Sequence, residues 1–208
     1  LFFAGDSAPA AYCLTQGEMV YSQTPESAPV LDDVSETISE DQWFCEVALW
    51  MEWQHVGEVA ATSHSSVLCL AVSELHEVMN SRLMSTALFE LTMEYCQLFY
   101  YRTISAQGPE WPSDISVPLT SFLDVVISMC GETQTLIGLM SIDHYCSKAG
   151  IRFLKAARMR QLKAEVRDGL STVLLNKDGE LERVVCVTAL HVEDRGFVLT
   201  QIAAQDGR

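Results

Sequence analysis

The side chains with most chemistry to offer crowd into residues 43–57, where Trp43, Cys45, Glu46, Trp50, Glu52, Trp53 and His55 stand close together. Glu46 opens the run Val47-Ala48-Leu49, where a carboxylate can accept hydrogen bonds or cap a short helix. His55 carries an imidazole whose ordinary pKa is about 6.5, although a loop histidine with satisfied bonds has no functional role. The tryptophans can stack a planar ring or fill a core. Cys45 is either a reactive thiol at a helix N-terminus or an inert buried one.

No Gly-x-Ser-x-Gly, P-loop or His-Glu-x-x-His motif occurs, and Asp143-His144 and His191 stand alone. No catalytic constellation and no cofactor are therefore expected, and the chain is not read as an enzyme. The 7 Cys form no Cys-x-x-Cys pair, which argues against a structural zinc site and a disulfide framework. They read as reduced thiols in a cytoplasmic setting, mostly small core residues.

These residues need a scaffold, and 208 residues at 49% hydrophobic and 20% charged suffice for one large domain or two small ones. The formal net charge of −15 argues against nucleic acid as a partner, since phosphate contacts need clustered cations. Charge is unevenly spread: residues 1–101 hold one basic residue, Arg82, against 15 acidic ones. The cations gather at Lys148, Arg152, Lys155, Arg158, Arg160, Lys163 and Arg167, on a basic amphipathic helix expected over 148–167. That face is open to solvent, docked on the acidic half, or directed at anionic lipid or a calmodulin-like partner. No run of apolar residues is long enough to cross a membrane, and no signal peptide is legible. Leu1-Phe2-Phe3 reads as the middle of a strand, so the chain is expected to be cut from something longer.

Gly5 and Gly17 mark turns between short strands over 1–23. A solvated loop with a weak strand at 30–38 follows, then strands at 56–61 and 67–72. Ser73 is placed as an N-cap before Glu74 and Glu77. Leu83, Ala87, Leu91, Tyr95 and Leu98 recur at helical spacing up to Arg102. Gly108-Pro109-Glu110-Trp111-Pro112 places a linker at 103–117. Residues 118–164 read as helical, and three strands over 170–175, 183–192 and 197–202 read as an antiparallel meander.

The order of these pieces resembles a known family. Leu-Phe-x-x-Gly-Asp-x-Ala-x-x-x-Tyr-x-Leu-x-x-Gly, from Leu1 to Gly17, is similar to two early strands of the cyclic-nucleotide-binding domain family. Trp43-Phe44-Cys45-Glu46-Val47-Ala48-Leu49 looks like its phosphate-binding cassette, Phe-Gly-Glu-x-Ala-Leu. The strand from Ser66 to Val72 with Ser73-Glu74-Leu75-His76-Glu77-Val78-Met79 resembles its closing strand and following helix, in wording nearest to cytoplasmic domains of cyclic-nucleotide-gated and hyperpolarisation-activated channels. The resemblance covers residues 1–102 and implies an α+β fold: a jelly-roll β-roll with C-terminal lid helices, then a helical connector and a small antiparallel sheet over 118–208 of unknown type.

The resemblance also implies a ligand pocket at Cys45, Glu46, Val47, Ala48, His55 and Val56. Glu46 takes the place that accepts from a ribose hydroxyl. Cys45 stands where the family has glycine, and His55 where it has an arginine that pairs the phosphate. Residues 1–81 contain no Lys or Arg. Losing one charge-assisted bond costs about 1.5–3 kcal/mol, or about tenfold to a hundredfold in affinity. The expectation is thus a regulatory or sensory module of a larger protein, the cytoplasmic part of an ion channel, with weak or lost binding of cyclic AMP or cyclic GMP. The alternative is a ligand-free interaction module that binds a partner subunit through its helices. The location expected is cytoplasmic, with tethering to a membrane through upstream segments.

Overall fold

The computed structural model of the chain describes residues 1–81, 84–106, 111–149, 153–169, 172–175 and 181–184. It divides into two units, Leu1–Ser128 and Met129–Arg208.

In the first unit, strands β1 (Ala10–Gln16) and β2 (Met19–Gln23) join through Gly17, whose φ of 92° suits a residue without a Cβ. A Cβ there would lie 2.5 Å from Ser65 Oγ and 2.6 Å from the His64 carbonyl. Each strand centres its own antiparallel sheet. β2 lies between β3 (Val34–Ile38) and β5 (Glu58–Ala61). β1 lies between β4 (Trp43–Phe44) and β6 (Ser66–Ala71). Alternation along β2 turns Met19 and Tyr21 inward. There they meet Phe2, Leu14, Ile38, Phe44, Cys45 and Val59 in one apolar core. Phe2 enters through a single antiparallel bridge to Val59 rather than a full strand.

The strand expected at 56–61 begins only at Glu58. Val56 and Gly57 give their N–H groups to a side chain, Asp114, and so form no ladder there. The short helix α1 (Val47–Trp50) buries Val47, Ala48 and Leu49. Helix α2 (Val72–Met79) follows β6 directly, with Ala71 at the N-cap and Ser73 inside the first turn. The expected Ser73 cap is not needed at Val72, because the Val72 N–H already donates to the Pro9 carbonyl at 2.9 Å. Helix α3 (Thr86–Ser105) starts later than expected, capped by Ser85, whose hydroxyl accepts from the Leu88 N–H.

The expected boundary at 102 falls within α3, ahead of the expected linker over 103–117. Helix α3 runs on to Ser105, and residues 111–128 belong to the first unit. Two anchors hold them. Asp114 accepts from the Tyr21 hydroxyl of β2, and the Arg102 guanidinium donates to the carbonyls of Leu119 and Asp124 and to Ser128 Oγ. Helix α4 (Phe122–Val126) is capped by Ser121, which accepts from the Asp124 N–H.

The second unit holds α5 (Gly131–Ala149), α6 (Phe153–Arg167) and an antiparallel pair, β7 (Thr172–Leu175) and β8 (Leu181–Val184). Ile142 and Val166 form its buried centre, with Leu139, Cys146, Met159 and Leu162 packed around them. Lys163 pairs with Asp143, while Arg158, Arg160 and Arg167 are exposed. The third strand expected at 197–202 lies outside the described residues. No helix among the described residues is long and apolar enough to cross a membrane. Of the six described cysteines only Cys13 and Cys45 are buried, so thiols are less of a core component than expected. Cys69 is exposed because it lies on β6, whose middle is largely open to solvent.

Candidate functional site

The site is built around a residue from outside the 43–57 run. Pro112 and Pro118 flank a tight turn in which the Ser113 N–H donates to the Ser116 carbonyl at 2.7 Å. The Ser113 hydroxyl accepts from the N–H groups of Ile115 and Ser116 at 3.4 and 3.1 Å. Ile115 packs against the apolar core, and Asp114 is buried at 2% exposure.

Five donors converge on the Asp114 carboxylate. Oδ1 accepts from Trp53 Nε1 at 2.9 Å and His55 Nδ1 at 2.8 Å. Oδ2 accepts from the Tyr21 hydroxyl at 2.9 Å and from the Val56 and Gly57 N–H groups at 3.0 Å each. Against an ionised carboxylate, which only accepts, His55 carries its hydrogen on Nδ1. The imidazole stacks on the Phe2 ring at 3.5 Å, and its Nε2 is buried without a partner among the described residues. Burial, then the negative charge of Asp114, pushes the Tyr21 hydroxyl well above its usual range, which keeps it a donor.

Two backbone features permit this convergence. A Cβ on Gly57 would stand 2.5 Å from the Tyr21 ring and 2.6 Å from the Ser22 carbonyl, so only glycine lets its N–H approach. Cys45 adopts φ 57°, in the left-handed region, at a cost of about 1–2 kcal/mol for a residue with a Cβ. Its N–H then donates to the Asp114 carbonyl at 2.5 Å. The thiol lies 3.8 Å from His55 Nδ1 and 4.0 Å from Asp114 Oδ1. Burial, then Asp114, pushes its pKa up, so it is no ready nucleophile.

Cys45, His55 and Asp114 offer ligand atoms within 4.8 Å of one another, a grouping that can hold a metal ion. The electrostatics oppose that use. N–H and O–H groups already occupy both carboxylate oxygens, and their positive ends point to where a cation would sit. The arrangement is an anion cradle.

Glu46 lies apart from this cradle. Its Oε1 accepts from Trp50 Nε1 at 3.3 Å and from the Tyr95 hydroxyl of α3 at 3.0 Å. It occupies the N-cap position of α1, but its side chain makes no capping bond. Burial raises its pKa, and the Tyr95 and Trp50 bonds offset part of the rise. Cys45, His55 and Val56 thus gather at Asp114, whereas Glu46 is directed to α3. Val47 borders a cavity of about 380 Å³ shared by Glu46, Phe99 and the turn carrying Asp114. Ala48 borders a separate cleft of about 1250 Å³ with Trp50, Trp53, Met79 and Met93.

Tyr21, Gly57 and Asp114 were not singled out as site residues from the sequence, and Trp53 was read as a stacking or core ring and Tyr95 as a position on a helix face, neither as a hydrogen-bond donor. Asp114 had one signal, a Ser-Asp turn between two prolines, which gives no sign of burial.

No family model matches the chain, and no curated protein matches it in sequence. Among solved structures, the Thermus thermophilus catabolite activator protein aligns at a TM-score of 0.35 and 16% identity, over 87% of this chain and 79% of that one. The EAL enzyme Bd1971 in its cAMP-bound form aligns at 0.32 and 13%, over 81% of this chain and 53% of that one. Its cGMP-bound form aligns at 0.33 and 14%, over 81% and 54%. The chain spans about half the length of the EAL enzyme. At these values the alignments decide neither fold family nor ligand, and the functional reading rests on the cradle and on the residue resemblance.

Proposed function

We propose that the chain is a non-catalytic regulatory module of a larger protein. It is built on a cyclic-nucleotide-binding-like roll whose place for a cyclic phosphate is held by its own Asp114. The observation that carries this reading is the five-donor cradle at Trp53, His55, Val56, Gly57 and Tyr21, closed around that carboxylate. A cyclic nucleotide has to displace a tethered anion whose effective concentration is high. It also meets no Lys or Arg from residues 1–81. The sugar-accepting place is engaged as well, because Glu46 is bonded to Tyr95. Binding of cyclic AMP or cyclic GMP is therefore weak or lost. The ion-channel setting rests on the residue choice in β6 and α2 alone.

Titration with cyclic AMP and cyclic GMP, followed by tryptophan fluorescence, tests the reading. Trp50 and Trp53 flank the cassette and report on it. The expected result is no saturable change at millimolar nucleotide, and saturation in the micromolar range would overturn it.

A second reading, as an interaction module, is favoured by the outer face of α3. Tyr100, Tyr101 and Ile104 stand 45%, 64% and 56% exposed on adjoining turns. A complex with a partner subunit that Tyr101→Glu abolishes, in a protein blind to nucleotide, would support it.

A further inference from the structure

The donors around Asp114 are arranged for a particular kind of anion. Two reach one oxygen and three reach the other, all between 2.8 and 3.0 Å. The remaining walls are the Cys45 thiol, 4.0 Å from Oδ1, and the Phe2 ring stacked on His55. Neither is a strong donor. A tetrahedral phosphate would bring further oxygens against these walls, where nothing solvates them. No Lys or Arg bonds to the carboxylate among the described residues. Two sets of donors, each converging on one point, match the two coplanar oxygens of a carboxylate.

We infer that the roll is a receptor for a small carboxylate, kept filled in cis by Asp114 and able to take a free carboxylate when that side chain is withdrawn. The inference shares with the functional reading the occupancy of the cradle but needs no relation to nucleotide binders. It goes further in naming the ligand chemistry and in making the Asp114 side chain, not the turn that carries it, the occupant that a free carboxylate can replace. That turn is held by its own Ser113 bonds, by Ile115 in the core and by the Asp114 backbone bonded to Cys45, so the side chain can be removed while these contacts remain.

The test is thermal unfolding of the full chain carrying Asp114→Ala, in sodium acetate up to a few hundred millimolar. Sodium chloride and sodium phosphate at matched ionic strength are the controls. Acetate is expected to raise the midpoint of the variant with the logarithm of its concentration above the dissociation constant, by about 3–6 °C at tenfold excess. Chloride and phosphate should leave it unmoved, and the wild-type chain, already filled, should respond to none of the three. If the variant is unfolded in plain buffer, acetate is expected to restore its near-ultraviolet dichroism, since a ligand of the folded state draws the equilibrium by mass action. Equal responses to acetate and chloride, a response to phosphate alone, or no recovery in acetate would each overturn the inference. None of these outcomes depends on how the wild-type chain responds to cyclic nucleotide, so the two proposals fail separately.

Discussion

The Tyr95 hydroxyl donates to Glu46 Oε1 at 3.0 Å, joining the start of α1 to the middle of helix α3. The Trp50 and Tyr95 rings meet beside this bond with centroids 5.1 Å apart, and Phe99 completes the cluster. The acid that the resemblance implies for a sugar hydroxyl is thus spent on the protein's own helix. Docking of α3 depends on a partly buried carboxylate with two donors.

That burial has a pH signature. Glu46 is raised above its model-compound value of 4.5 by desolvation, so the folded state holds its proton to higher pH than the unfolded chain does. Stability from this group is fully present below about 4.5 and is lost as pH rises through the raised folded value. Glu46→Gln keeps the accepting oxygen for Tyr95 and Trp50 and removes the titration. The variant is expected to gain on wild type as pH rises above about 4.5 and then hold a constant lead, in midpoints measured across the pH range. A difference that does not change with pH would contradict the assignment.

Gly57 admits no side chain. Gly57→Ala sets a Cβ 2.5 Å from the Tyr21 ring and 2.6 Å from the Ser22 carbonyl. Part of this contact is backbone, so relief requires the strand to move and the N–H to leave Asp114. A loss of about 2–4 kcal/mol is expected by urea unfolding, larger than the cost of overpacking alone, because a buried carboxylate also loses a donor. Gly131→Ala, where a Cβ meets nothing within 4 Å, serves as the control and should be neutral or stabilising.

The thiols should react in order of their surroundings. Cys69 and Cys130 are exposed, whereas Cys45 is fully buried with its pKa raised by burial and by Asp114. Alkylation of the native chain, read by peptide mass spectrometry, is expected to label Cys69 and Cys130 first and Cys45 only on unfolding. Early labelling of Cys45 would show that the cradle opens readily.

Much of the strand pattern in the first half of the chain is legible in the sequence, because its signals are local. Gly17 must turn the chain, and Met19 and Tyr21 alternate as a half-buried strand requires. Helix starts were less legible: Ser73 has the composition of a cap, yet the Pro9 carbonyl, 63 residues upstream, receives the first N–H. The site shows the same divide. Cys45, His55 and Val56 lie within twelve consecutive residues and can be read together. Asp114 cannot be joined to them from sequence, since an acid between serines and prolines has the composition of a solvated turn. Its burial is decided by Tyr21, 93 residues away, and by two amides that would otherwise begin a strand.

The occupancy of the cradle by Asp114 is tested most directly by the exchange rate of the Trp53 indole N–H, followed by NMR in the wild-type chain and in Asp114→Ala. In the wild type this N–H is expected to exchange far more slowly than that of Trp43, which is 45% exposed. In the variant its protection should fall while that of Trp50, bonded to Glu46, persists. A Trp53 signal that exchanges as freely as Trp43 in the wild type, or one unaltered by loss of Asp114, would contradict the filled cradle.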